Sequence, residues 1–91
     1  MRTGSTKEQQ RIARWIQPSR EYPGDPDARI GGTGIPVWAL VAYYEAAAGD
    51  AQRVADDYRQ PIEAIEAALS YYRRHKELID SRLAQNAAYT V

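Results

Sequence analysis

The side chains with most chemical potential are few and scattered. His75 is the only histidine and there is no cysteine, so a metal would need carboxylate ligands around one imidazole, and a Ser-His-Asp relay would need Ser70 or Ser81 brought to it. A solvated imidazole on a helix surface is the simpler expectation. Asp56 and Asp57 are adjacent and diverge on a helix, whereas Glu63 and Glu66 lie one turn apart at a helix start, where acidic groups suit the helix dipole without acid-base pairing. The run Ile30-Gly31-Gly32-Thr33-Gly34 is glycine-rich. It lacks the Lys-Ser/Thr step of a phosphate loop and the strand-to-helix glycine fingerprint, so it reads as a turn. The expectation is therefore a binding module and not an enzyme, with no cofactor and no metal.

Charge then becomes the informative property. The 91 residues carry zero net charge, unevenly distributed. Residues 1–20 set Arg2, Lys7, Arg11, Arg14 and Arg20 against Glu8, a balance of +4. Residues 50–66 set Arg53 and Arg59 against Asp50, Asp56, Asp57, Glu63 and Glu66, a balance of −3. Residues 71–82 return to +2, with Arg73, Arg74, Lys76 and Arg82 against Glu77 and Asp80. An electrostatic partner would be read locally. Apolar residues at 44% and charged residues at 26% are ordinary globular values. Phe is absent, so seven Tyr and two Trp supply the aromatic volume, each with a polar handle that favours a wet, interface-rich surface. No apolar stretch approaches a membrane span and no secretion signal precedes the first polar segment, so a cytoplasmic location is expected.

The elements that must carry these groups are mostly helical. Ser5 or Thr6 can cap a first helix over 6–16, with Ile12, Trp15 and Ile16 as its apolar stripe and Pro18 as its stop. Residues 17–28, rich in Pro, Gly and Asp, read as an irregular linker. Residues 28–37 have apolar ends around the glycine cluster, the pattern of a small hairpin that needs a pairing partner, and the same hairpin from a second chain would serve. Ile30, Ile35, Val37 and Trp38 are therefore dimerisation candidates, and a homodimer is expected. From Pro36, the residues Val37, Trp38, Leu40, Val41 and Tyr44 recur at helical spacing until Gly49. Asp50 caps a second helix over 51–58, with Val54 and Tyr58 facing inward. Pro61 opens a third, with Ile62, Ile65, Leu69 and Tyr72 inward, continuing unbroken through Leu78, Ile79 and Leu83 to about residue 86, its second half too polar for core. The fold expected is mainly α, a helix-turn-helix trihelical core with a small β-hairpin and an N-terminal helix. Residues 1–21 form a basic N-terminal helix and linker, and residues 22–91 the helix-turn-helix domain with its extended C-terminal helix.

Ile30-Gly31-Gly32-Thr33-Gly34-Ile35-Pro36-Val37 resembles the GTRIPV signature of the domain of unknown function family 433. Downstream, Gly49, the segment Ala51 to Tyr58 and the helix Ile62 to Tyr72 are similar to the family's later blocks, so the resemblance covers roughly residues 22–80. It implies a homeodomain-like or winged helix-turn-helix fold and, as in many members, an antitoxin role beside a PIN-like ribonuclease toxin. Two positions depart from the pattern: Gly34 replaces the signature's arginine, and Arg59 replaces the proline after the Asp-Tyr pair.

Two surfaces follow as candidates. For DNA, the third helix would present Gln60, Glu63, Ala64 and Ala67 to base edges, with Glu63 and Glu66 opposing phosphate. Gln60 suits adenine, Arg53 and Arg59 can clamp the backbone, and Lys7, Arg11 and Arg14 form a basic face on the first helix. That face reads equally as a solvated amphipathic helix folded on a dimer partner. For a PIN-like toxin, Leu78, Ile79 and Leu83 would dock into a groove while Arg73, Arg74 or Arg82 reaches the toxin's metal-binding carboxylates. The corresponding functions are an antitoxin-like protein that also binds operator DNA, a stand-alone dimeric DNA-binding regulator, and a structural dimerisation module.

Overall fold

The computed structural model describes the backbone of residues 3–17 and 27–90 and the side chains of residues 7–16 and 27–87. The described elements are α1 (Thr3–Trp15), β1 (Ile16–Gln17), β2 (Arg29–Ile30), α2 (Val37–Ala46), α3 (Ala51–Tyr58), α4 (Ile62–Arg74) and α5 (Lys76–Thr90). The chain is mainly α, with α2, α3 and α4 as its trihelical core. Of the linker expected over 17–28, residues 18–26 lie outside the described residues, as do the side chains of Ser5 and Thr6. α1 begins at Thr3, three residues before the expected start, so Ser5 and Thr6 lie within the helix.

Local chemistry accounts for the trihelical unit. Pro36 and Pro61 each precede a helix as its cap, in extended conformation, without a side-chain cap bond. The Pro61 carbonyl accepts from Ala64 and Ile65, so the backbone alone starts α4. Asp50 caps α3, accepting from the Arg53 amide at 3.1 Å, as its residue type predicts. α2 ends three residues earlier than the position of Gly49 suggests. Ala47, Ala48 and Gly49 close it by bonding back to Tyr43, Glu45 and Tyr44, and Gly49 takes φ +79°, a left-handed conformation natural to glycine.

The expected hairpin is present. The Ile30 amide donates to Ile35 and the Val37 amide to Ala28, with Gly32 at φ +77° in the turn. Its free edge is covered within the same chain. β1 pairs antiparallel with β2, Ile16 opposite Ile30 and Gln17 opposite Arg29, and the Gly31 amide donates to Trp15 at 2.8 Å. The pairing partner that the hairpin needs is thus supplied by the end of α1. Ile30 and Val37 are fully buried in the core of one chain. Neither side chain is presented to a second copy, which corrects their reading as dimerisation residues; Ile35 and Trp38 are half-buried.

The third helix is not one straight rod of about 25 residues. It breaks at His75, whose backbone (φ −128°, ψ 44°) ends α4 before α5 begins at Lys76. The bend lays α5 against α2 and makes Ile79 fully buried, with Leu83 packed on the core. One face of the C-terminal extension, Ile79 with Leu83, is therefore core, against the expectation drawn from its polarity. α4 lies at the centre, touching α1, α2, α3, α5 and both strands. Ala64, Ile65, Ala67, Ala68, Leu69, Ser70 and Tyr71 are all buried.

Candidate functional site

α1 runs antiparallel across α4. Glu8 meets Arg74 at the C-terminal end of α4, while Arg14 and Trp15 share a furrow with Glu63 at its N-terminal end. The Arg74 guanidinium donates to Glu8 at 2.9 Å, Arg73 lies 3.7 Å from the same carboxylate and donates to Ser70 at 3.0 Å. The Arg74 hydrogen bond, helped by Ser70 and Arg73, outweighs partial burial and holds the Glu8 carboxyl below its usual range. Sequence reading registered Glu8 only as the lone acid in a basic segment. That isolation was its one signal.

Packing covers part of the face of α4 that helix phase offers to base edges. Ala64 and Ala67, assigned to base edges by helix phase, have 0% exposure. Gln60 is half-buried, and Glu63 and Glu66 are the exposed side chains of the helix's first two turns. Ala64 and Ala67 therefore do not reach base edges, which corrects those two positions, and the carboxylates exposed beside them oppose phosphate. Arg53 is tied to Asp57 at 3.6 Å, and Asp57 also accepts from the Tyr43 hydroxyl, whose pKa that bond raises. Arg59 caps α3 in a left-handed conformation at φ +58°. Lys7, Arg11 and Arg14 do come together, in a furrow of about 350 Å³ with Gln10, Trp15 and Glu63.

The toxin-facing candidates separate. Ile79 belongs to the core and cannot dock, which corrects that assignment. Arg82 is engaged, 3.0 Å from Asp27 and with its guanidinium 4.6 Å from the Trp38 ring centroid. Arg74 is held by Glu8. Arg73 stays largely open, its side chain 63% exposed, and Leu78 is the one large hydrophobic that is exposed among the described residues. Both line an open depression of about 630 Å³ at the α4–α5 elbow, with Arg74, His75, Lys76, Glu77 and Ser81. Across the elbow Asp80 accepts from Tyr72 at 2.8 Å and from Lys76 at 2.7 Å. These bonds raise the Lys76 pKa and lower that of Asp80, Lys76 being the larger influence on the carboxyl.

His75 is not a free surface imidazole. It sits half-buried at the elbow with its ring 4.5 Å from that of Tyr71, and burial, with Arg74 nearby, pushes its pKa down. No group of three or more His, Asp or Glu poised for a metal occurs among the described residues. Among those residues, no helix is long and apolar enough to cross a membrane.

The two departures from the family signature have different structural meanings. A Cβ at Gly34 would meet nothing within 4 Å, so the backbone does not demand glycine there. At Arg59 the φ of +58° excludes proline. No curated protein and no solved structure matches the chain. The family model described as Protein of unknown function (DUF433) matches residues 27–72, which takes in the hairpin and α2, α3 and nearly all of α4. With half of its length and nearly all of its trihelical core matched, the chain belongs to that family.

Proposed function

We propose that this chain is an antitoxin-like binding protein that neutralises a PIN-like ribonuclease through the outer face of the α4–α5 elbow, acting in the cytoplasm as a homodimer. The observation that carries the reading is the pairing of exposed Leu78 with open Arg73 beside one depression, outside the core contacts that hold α5 in place. An apolar anchor next to a guanidinium that is largely exposed and only loosely paired with Glu8 suits a partner whose active site is a cluster of carboxylates, since the planar fork of arginine pairs with them bidentately. The family resemblance supplies the nature of the partner. Recognition of operator DNA by α4 is not part of this reading, because two of its groove-facing positions, Ala64 and Ala67, are buried.

The test is co-expression with the product of the adjacent gene, followed by pull-down and measurement of residual ribonuclease activity. A stable complex that Leu78→Asp weakens at least 10-fold, and in which Arg73→Ala restores nuclease activity, is expected. Deleting the whole C-terminal extension is uninformative, since Ile79 is core. A complex indifferent to both exposed substitutions, or no complex, overturns the reading.

A further inference from the structure

We propose that the α1 furrow is a binding site for single-stranded nucleic acid. Lys7, Arg11 and Arg14 fall on one face of α1, about 6 Å and about 4.5 Å apart along its axis. Among the described residues none of the three is in ion-pair contact with a carboxylate, in contrast to Arg53, Arg73, Arg74, Lys76 and Arg82. Among the described residues most other cations are matched with acids, and this row is left open, lined up as a strand of phosphates would require.

The concavity selects the form of polyanion. A duplex backbone is convex and would rest on the rim, whereas a furrow of about 350 Å³ accepts an unstacked base. Its wall is the half-buried Trp15 with the Arg14 guanidinium over its ring, 5.2 Å from the centroid, so a base would stack on the guanidinium plane that the indole supports. Gln10 and Glu63 line the same furrow and offer a donor and acceptors to a base edge. Glu63 opposes phosphate but leaves an excess of two positive charges. An acidic protein segment would use the cations alone and leave Trp15 without a role. Its cations and Trp15 lie outside the family-matched residues, and the site does not depend on toxin binding, because the two surfaces use different residues.

The experiment is fluorescence anisotropy of the full chain with labelled 12-nucleotide oligothymidine, oligouridine and a 12-base-pair duplex, between 50 and 200 mM salt. Three phosphate contacts give a log-log slope of about −2, an affinity loss of about 20-fold over that range. Lys7 and Arg14 are exposed, so the K7Q/R14Q variant keeps its fold, and its slope falls to about −0.7, a loss of about threefold. In a Trp38→Phe background Trp15 is the only tryptophan, and its emission is quenched on binding. Preference for the single strands with these two responses supports the site. Equal binding of duplex, an unchanged slope in the variant, an unquenched Trp15, or displacement by poly-L-glutamate at equal charge would each overturn it.

Discussion

Adjacent residues in α5 have opposite roles. Ile79 is fully buried and Leu78 exposed. Ile79→Ala should cost about 2–5 kcal/mol through lost burial and the cavity left behind, while Leu78→Ala should change stability by less than about 0.5 kcal/mol. Urea unfolding of the two variants checks the contrast. A second residue carries local strain: Arg59 holds φ +58° as the cap of α3, a conformation that costs an L-residue about 1–2 kcal/mol. Arg59→Gly should therefore stabilise the chain by about 0.5–1 kcal/mol despite glycine's larger unfolded-state entropy, read as a raised unfolding midpoint. Gly49 at φ +79° obeys the same rule from the other side.

Between elements, a few titratable groups hold the helices in register. Glu8 joins α1 to α4 and Asp80 joins α5 to Tyr72 of α4, and both carboxyls have lowered pKa values. His75, at the elbow, is also lowered, by burial and then by Arg74. A lowered pKa means that the folded chain binds fewer protons than the unfolded chain in that interval, so stability is retained above the unfolded value and lost as pH falls through the folded one. The His75 loss begins below its usual 6.5, and those of Glu8 and Asp80 below 4.5 and 3.8. The urea midpoint should be flat between about pH 7 and about pH 9 and decline from about pH 6.5 downwards. His75→Gln should remove the first decline and leave the one at lower pH. A decline that begins at the same pH in both proteins would show that His75 is not its source.

For the whole molecule, zero net charge and a pI near 6.6 remove the long-range repulsion that keeps proteins apart. Opposite local balances, −3 over residues 50–66 and +2 over 71–82, can then attract between copies. Light scattering of the purified chain should be greatest near pH 6.6 and fall at pH 8.5, or with added salt, which screens such attractions. The two basic segments, 1–20 and 71–82, nevertheless meet inside one molecule. Glu8 lies between them and takes both Arg73 and Arg74.

What the sequence determined by itself were the features fixed by neighbours along the chain: the caps at Pro36, Asp50 and Pro61, the glycine turn, the hairpin and the helical class. Each depends on backbone conformation and hydrogen bonds a few residues apart, so residue type and spacing suffice. The basic row on α1 was legible for the same reason, because helix spacing alone lines up Lys7, Arg11 and Arg14. Only the tertiary structure decided that Ala64 and Ala67 are buried, that β1 closes the hairpin edge, that the chain bends at His75 and that Ile79 is core. Those outcomes depend on which apolar faces meet across tens of residues. Phase around a helix says that a face exists, while burial depends on what packs against it, and here α4 is packed by elements from both ends of the chain.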